Sequence, residues 1–178
     1  MLVSNISLSD WTTLNDTIMG GSSNSSCETT SDGLIFRGNL IEKGGGFISC
    51  RSPLFFPPLN FSRYQGFKLE IDGDGRTLKI AVSCQFSNPI ISSLISDRLK
   101  WVASIPTEKT GTSAIQIPFS DLEPAIRAKS VSLPVEFQPS YITRIQLLHS
   151  KFGQPGQLNS GFRCGAFRIL LRSISTYA

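Results

Sequence analysis

Polar and apolar residues alternate along the segment GFKLEIDGDGRTLKIAVSCQF, residues 66–86, and this pattern constrains the fold more than any other feature. Every second residue is apolar in 67–71 and again in 78–86. Such alternation is typical of β-strands with one buried face. The DGDG sequence at 72–75 favours positive φ angles, so we predict that it joins the two strands as a hairpin.

Further strands are predicted along the chain, with turns rich in glycine and proline between them. They cover residues 34–40, 46–51, 113–119, 141–149 and 166–174, and the surroundings of Trp101. The segment SDLEPAIRA, 120–128, instead resembles a short helix, with Ser120 as its N-cap and Glu123 three residues later. Many short strands and at most two short helices predict an all-β protein, a sandwich or a barrel.

Length and charge set further bounds. A chain of 178 residues with 40% hydrophobic residues is typical of one domain, which we place at 1–178. The net charge of +4 is spread along the chain, so it favours anionic partners only mildly. The apolar runs are far shorter than the roughly 20 residues of a membrane-spanning helix. We therefore predict no transmembrane segment.

The four cysteines are not arranged as a CxxC motif, and the N-terminus resembles neither a signal peptide nor a transit peptide. These features predict four reduced thiols and a cytoplasmic protein, one that can still associate with a membrane at its periphery.

The motifs of enzymes and cofactor sites are missing from the sequence. It has no dinucleotide-binding GxGxxG, no P-loop and no calcium-loop glutamate at the position that DGDG would require. His149 is the only histidine, so acid–base catalysis would depend on it, although a hydrogen-bonded structural histidine is the commoner case. We therefore predict a protein that is not an enzyme, with no cofactor and no metal.

Two tryptophans, Trp11 and Trp101, leave a binding role open. With nearby arginines they can form a stacking platform for a sugar or for single-stranded RNA. They can equally be packing residues, which is the more frequent role of tryptophan.

Several motifs occur in an order that resembles one family. They are Trp11 followed by LNDTIMGG, then FRGNL and GGGFISCRS, GDGR at 73–76, IPFSDLEP at 117–124, and the closing GAFRILLRSI. From Trp11 to Ile174 this order is similar to that of the complex I intermediate-associated proteins, the thirty-kilodalton assembly factors. The chain resembles a stand-alone bacterial member, of a cyanobacterial type.

The resemblance implies a jelly-roll β-sandwich of the galactose-binding-like type. It also implies a non-catalytic assembly factor for a membrane electron-transfer complex, either a photosystem or a complex of the NDH or complex I type. Its partners would be subunits or assembly intermediates of that complex. The alternatives are a module that binds carbohydrate or another small ligand, and an RNA-binding factor in photosystem biogenesis, so an anionic ligand or RNA stays a possible partner.

The NDTIMGG motif, residues 15–21, predicts a structured corner that borders a binding surface. Asn15 and Asp16 can bond to nearby backbone groups, the glycines permit a sharp turn, and Met19 can pack beneath it. From the joint occurrence of two family motifs, we also expect Asp16 to pair with Arg51.

The remaining candidate residues form two groups. Phe55 and Phe56 lie in a proline-bounded loop, where they form either an exposed client-binding patch or part of the core. Arg51, His149 and Lys151 are expected to converge on one polar site at the strand ends, because binding residues often lie on loops held by a rigid scaffold. Trp101 completes the set of candidate binding residues.

Overall fold

A computed structural model describes residues 4–178 except 87, 89, 91, 93, 94, 96, 97, 128, 133 and 154–156. The described residues contain twelve β-strands, β1–β12. Their bounds are Thr12–Thr13, Asn24–Thr30, Gly33–Leu40, Phe47–Arg51, Gly66–Asp72, Thr77–Cys84, Leu99–Pro106, Ser113–Pro118, Glu123–Ile126, Lys129–Ser130, Ile142–Ser150 and Gly165–Tyr177.

The strands form two antiparallel sheets. The seven-stranded sheet has the order β1-β4-β11-β6-β7-β9-β10, and the five-stranded sheet has the order β2-β3-β12-β5-β8. The two sheets turn one face each toward a common core and the other toward solvent, as in a β-sandwich. The all-β sandwich predicted by the alternating segments is therefore confirmed.

Alternation decides which side chains enter the core. In β7, for example, Leu99, Trp101 and Ile105 are buried between the sheets, whereas Lys100 and Val102 face outward. β5 and β12 alternate in the same way. Each sheet consequently has an outer face built from the residues between the core positions, and these outer faces are where a partner can bind.

The DGDG turn is not a hairpin. Its strands, β5 and β6, are correctly predicted, but β5 belongs to the five-stranded sheet and β6 to the seven-stranded sheet, so the turn crosses between the layers. Asp74 and Gly75 do have positive φ angles, of 55° and 67°. One buried face per strand is equally compatible with a hairpin and with such a crossing, which is why the alternation could not distinguish them.

The predicted helix at 120–128 is also wrong. Residues Phe119–Asp121 form a short 3₁₀ helix, and Glu123–Ile126 form strand β9, which pairs with Leu99–Val102 of β7. Pro124 and the open edge of β7 favour the strand over a capped helix. Two more 3₁₀ helices, Asp16–Met19 and Pro139–Tyr141, also occur, so the described residues contain more short helices than the two predicted.

Candidate functional site

A groove of about 700 Å³ lies on the outer face of the seven-stranded sheet. Strands β4, β11, β6, β7, β9 and β10 contribute to it, together with the loops that precede β2 and β4 and the segment that follows β11. The lining residues are Leu14, Ile18, Met19, Gly45, Gly46, Phe47, Lys79, Ala81, Arg98, Lys100, Val102, Ala103, Ser104, Glu123, Pro124, Ala125, Arg127, Ser130, Gln146, Leu148, Ser150, Phe152 and Gly153.

The floor of the groove is largely apolar. The sheet register places Leu148 beside Lys79 and Ala81 beside Val102, on three adjacent strands. Small and aliphatic side chains at these outward positions leave room above the sheet, whereas long polar side chains would fill it. A sheet face that is apolar on its solvent side differs from the usual polar outer face.

Two largely exposed apolar side chains lie at the groove's rim. Ile18 is 65% exposed and Met19 is 70% exposed, and both belong to the 3₁₀ helix Asp16–Met19. Phe152, 45% exposed, contributes to the same groove. Scattered exposed apolar residues are common on proteins, but a cluster around a groove is typical of a binding surface.

The buried carboxylate of Asp16 holds this rim in place. Its Oδ1 accepts a hydrogen bond from the Ser23 backbone N–H at 3.0 Å, and its Oδ2 accepts bonds from the Ser23 hydroxyl at 2.7 Å and the Gly46 N–H at 2.7 Å. The Phe47 N–H lies 3.4 Å from the same oxygen. Asp16 thereby ties the 3₁₀ helix to the segment that leads into β4.

Two glycines make room for this carboxylate. A Cβ atom at Gly21 would lie 2.4 Å from Asp16 Cγ, and one at Gly45 would lie 2.3 Å from Asp16 Oδ2. Real Cβ atoms do not approach so closely, so these positions require glycine. The neighbouring Gly20 closes the 3₁₀ helix with a φ of 85°, a left-handed conformation that glycine adopts at no steric cost.

The carboxylate of Asp16 stays ionised in this environment. Burial alone would raise its pKa, but the hydrogen bonds from Gly46, Ser23 and Phe47 outweigh burial and lower the pKa below its usual value. The negative charge is therefore stabilised by N–H and O–H donors without a cationic partner.

Positive charge predominates along the groove. Lys79, Arg98 and Arg127 line it, and none of them forms an ion pair with any residue in the described ranges; Lys100 also lines it and donates a hydrogen bond to Ser83 Oγ at 2.7 Å. Glu123 is the one acidic residue among the described lining residues. Burial lowers the pKa of Lys79, because its ammonium group is partly removed from water.

Comparison with known proteins identifies the family. The model of the complex I intermediate-associated protein 30, CIA30, matches residues 2–171. The chain belongs to the CIA30 family. The resemblance predicted from the ordered motifs is thus confirmed. No curated protein matches the chain.

Solved structures similar to this CIA30 chain include carbohydrate-binding modules and an agarase. A family 11 module from Clostridium thermocellum, in complex with a β-1,3-1,4-mixed-linked tetrasaccharide, has a TM-score of 0.67 at 14% identity, covering 99% of this chain and 95% of the module. A family 30 module of a C. thermocellum cellulosomal cellulase has a TM-score of 0.51 at 15% identity, covering 98% and 97%. At such identities the likeness shows the fold alone, which is the predicted jelly-roll sandwich.

The NDTIMGG corner of this CIA30 chain forms, but two of its predicted details are wrong. Asn15 Oδ1 accepts a bond from the Ser25 hydroxyl at 2.6 Å, which is a local contact of the expected kind. Met19 does not pack beneath the corner, because the 3₁₀ helix turns it toward solvent. Asp16 and Arg51 form no ion pair, since backbone donors already surround the carboxylate.

The predicted polar site of Arg51, His149 and Lys151 does not form. Arg51 is half-buried, and its Nε has no hydrogen-bond partner within the described part of the chain. Lys151 lies beside the groove, where its stem contacts Gly46 and its Nζ is 5.3 Å from the centre of the Phe152 ring. Five residues of extended chain separate the register positions of Arg51 and Lys151, or about 16 Å.

His149 is instead a structural residue of the interior. It is 0% exposed, its Nδ1 lies 3.0 Å from the Thr77 carbonyl, and its Nε2 lies 3.2 Å from Arg76 Nη1. The rings of Phe162 and Phe167 stack on its two sides. Burial, together with the Arg76 charge, lowers the pKa of His149 to about 4 despite the bond to Thr77, so the imidazole is neutral at pH 7.

The two tryptophans are packing residues. Trp101 is buried and contacts Phe137 edge-on at a centroid distance of 5.7 Å. Trp11 is also buried and donates its indole N–H to the Ser7 carbonyl at 3.0 Å. Because both side chains are buried, they form no stacking platform, and Trp101 is not accessible to a ligand.

The two phenylalanines of the SPLFFPPLN loop divide between the two predicted roles. Phe55 packs against the core, whereas Phe56 is 97% exposed, next to the exposed Leu54. This loop follows β4, and the groove's Phe47 begins that strand, so the loop and this end of the groove lie at opposite ends of β4.

Sequence reasoning missed the groove's cations and its Ile18. The alternation of β6 and β7 already indicated that Lys79, Lys100 and Val102 face away from the core. Nothing in the sequence indicated that six strands and the adjoining loops would enclose a groove above them. The glycine pair Gly20–Gly21, only a few residues after Asp16, was a usable signal for the carboxylate site, since glycine often marks a close approach of the backbone.

Other chemistry is limited in the described part of the chain. No three His, Cys, Asp or Glu side chains there are placed to hold a metal ion. All four cysteines are free. Within the same residues, no helix has the length and apolar character needed to cross a membrane.

Proposed function

We propose that this protein is a non-catalytic assembly factor that binds polypeptides of a partly built membrane electron-transfer complex. CIA30 membership supports a role related to complex I assembly. On this proposal the client, meaning the polypeptide that is bound, docks in the groove of the seven-stranded sheet. The complex concerned is of the NDH or complex I type, or a photosystem.

The observation that carries the proposal is the rigid apolar rim. Ile18 and Met19 are exposed although the helix that bears them is anchored by a fully buried carboxylate. An anchored segment that presents large apolar side chains to water is typical of a surface that a partner covers. The exposed Phe56 offers a second, smaller contact at the other end of β4.

The state of the only histidine supports binding rather than turnover. Both ring nitrogens of His149 have partners inside the protein, and its pKa of about 4 keeps it from exchanging protons near neutral pH. General acid–base catalysis requires a group that reaches the substrate with a pKa near the working pH.

A small-ligand or carbohydrate site in the groove is the second candidate. Its volume of about 700 Å³ is within the usual range for ligand pockets, and similar folds belong to carbohydrate-binding modules. The groove's aromatic residues are Phe47 and Phe152, and no Trp or Tyr occurs among its described lining residues. A floor of aliphatic side chains fits an apolar polypeptide better than a hydroxyl-rich sugar.

Affinity capture from detergent-solubilised native membranes tests the proposal. The double variant I18S/M19S should lose at least about tenfold in captured client, because anchoring apolar residues dominate interface energies. Its matched control is I35S/L170S, which removes a cross-strand apolar pair from the outer face of the five-stranded sheet. The control should capture normally, although its half-buried residues make it the less stable of the two variants.

A deletion strain identifies the complex. The level of one multisubunit membrane complex should fall, and which one falls distinguishes the complex I type from a photosystem. Normal levels of all respiratory and photosynthetic complexes would refute the assembly role. Saturable binding of the mixed-linked tetrasaccharide in the groove, without client capture, would favour the carbohydrate candidate instead.

A further inference from the structure

The apolar floor of the groove contains a cation, Lys79, that forms no ion pair with any of the described residues. Lys79 projects from β6 between Leu148 of β11 and Ser104 of β7, its register neighbours on the two sides. Ala81 follows it on the same face of β6 and adds no polar group. The ammonium group of Lys79 therefore rises out of an aliphatic surface, and no ion pair within the described residues neutralises it.

We infer that the groove takes an extended apolar client segment that carries an acidic side chain, and that Lys79 binds its carboxylate. This inference rests on the proposed function and specifies the chemistry of the client. A carboxylate that replaces water around Lys79 supplies the missing countercharge in a partly desolvated site, where an ion pair is stronger than on an open surface.

The charges of the whole groove support an acidic occupant. Lys79, Arg98 and Arg127 lack ion pairs in the described part of the chain, whereas Glu123 is the single acid seen along the lining. Arg98 and Arg127 are exposed beside it, so they can steer an acidic segment toward the groove before it docks.

The dimensions of the groove suit a short extended chain. Six neighbouring strands at a spacing of about 4.8 Å span roughly 24 Å, which corresponds to about seven residues of extended polypeptide. In such a segment alternate side chains point to the same side, so apolar residues can contact the floor while an acidic residue meets Lys79.

Two other anionic partners fit the groove less well. A lipid bilayer is flat on this scale, and Lys79 lies in the floor of a recess, below Ile18 and Met19 at the rim. A nucleic acid strand needs a run of phosphate contacts and stacking aromatics, whereas this groove has few cations and an aliphatic floor.

NMR titration of the ¹⁵N-labelled full chain tests the inference. The probe is a capped peptide of alternating leucine and glutamate, and its matched control replaces every glutamate with glutamine. We expect the acidic peptide to shift the amide signals of Ala81, Val102 and Leu148, and the glutamine peptide to bind about tenfold more weakly. Raising the salt concentration should weaken only the acidic peptide.

Charge variants locate the contact. Lys79→Met keeps the apolar stem and should reduce affinity for the acidic peptide to that of the glutamine peptide. Lys68→Met on β5 is the matched control on the other face, where Lys68 Nζ lies 3.6 Å from Glu70, and it should change nothing. Lys79→Glu should bind a leucine–lysine peptide in preference to the acidic one.

Each other outcome overturns the inference without deciding the proposed function. Equal binding of the acidic and glutamine peptides would show that the groove binds apolar segments without selecting for a negative charge. Amide shifts confined to the five-stranded sheet would place the site elsewhere. Lys79-dependent binding of phosphatidylglycerol vesicles or of an oligonucleotide, without peptide binding, would assign the groove to another partner. In every such case client capture by the wild-type protein still tests the assembly role.

Discussion

The two outer faces of the sandwich are built from the same kind of alternating strand, yet they differ in how many of their charged side chains form ion pairs. On the five-stranded sheet, Asp72 and Arg172 form an ion pair at 2.7 Å, and Lys68 lies 3.6 Å from Glu70. Glu28 and Arg37 form a third pair there, at 3.5 Å. Most charges of this face are therefore paired within the molecule, as on an ordinary solvated surface, and Arg168 is the exposed cation there for which the described residues provide no ion pair.

The seven-stranded sheet leaves corresponding groups without countercharges. Lys79 has no ion-pair partner in the described residues, and the apolar Ile18 and Met19 stand exposed beside the groove. The difference indicates that the seven-stranded face is the one suited to a partner, because binding removes its exposed apolar side chains from water. The following experiments test this contrast.

Replacing Asp16 is the strongest test, because the contrast fails if the rim is not held rigidly. Asp16→Asn removes one acceptor oxygen from a buried site with several N–H donors, and should lower the free energy of unfolding by about 3 kcal/mol. Client capture should fall as well, since Ile18 and Met19 lose their anchor. Urea unfolding measures the first effect, and the exposed Asp32→Asn is the control. A loss no greater than that of the control would contradict the role given to Asp16.

The pH dependence of the free energy of unfolding tests whether His149 is a structural residue of the interior and belongs to neither outer face. Its pKa is about 4 in the folded protein and 6.5 when unperturbed, so the unfolded state takes up the proton first as the pH falls. This stability is complete above pH 6.5 and is lost progressively down to pH 4; about 2 kcal/mol should be lost between pH 7 and pH 5. His149→Gln should flatten this part of the curve. An unchanged slope would show that other groups cause it.

Variants of Phe55 and Phe56 test whether exposure alone is enough for a side chain to contact the client. Phe55→Ser should destabilise the protein by about 1.5 kcal/mol because it removes a ring packed on the core. Phe56→Ser should change stability by less than about 0.5 kcal/mol, since the ring is 97% exposed. We expect Phe56→Ser to reduce client capture less than I18S/M19S does. A larger reduction would move the main contact to the loop.

The smallest effect is expected on the five-stranded face. Asp72→Asn breaks the exposed pair with Arg172 and should cost about 0.5 kcal/mol, with no change in client capture. Thermal unfolding in low and high salt measures the loss, which should shrink as salt screens the wild-type pair. Reduced client capture by this variant would contradict the conclusion that the client binds only the seven-stranded face.

More of the fold than of the site could be predicted from the sequence. Alternation correctly placed β3, β4 and β11, because burial on one face determines strand positions directly. It missed β2, whose sequence NSSCETT lacks apolar alternation and which pairs through the backbone of β3. It also took the crossing at 72–75 for a hairpin, since only the partner strands reveal which sheet a strand joins.

The site depended on contacts between distant segments. Asp16 accepts a hydrogen bond from Gly46, thirty positions later, and the groove needs six strands in a particular order. Residue type predicted that Asp16 would bond backbone groups, but it could not distinguish the N–H donors of Gly46 and Phe47 from a side chain such as Arg51. The burial of His149 was likewise one of two open interpretations, decided here by the packing of Phe162 and Phe167 around it.

The position of β12 has a consequence for the order in which the chain can acquire its structure during synthesis. This strand, Gly165–Tyr177, follows the other eleven strands in sequence and lies at the centre of the five-stranded sheet, between β3 and β5. Until a ribosome has released these residues, β3 and β5 both have an unpaired edge that another chain could join. The nascent protein therefore completes its fold only after translation of nearly all of the present sequence, and a stop codon before residue 165 would leave that sheet divided into two parts.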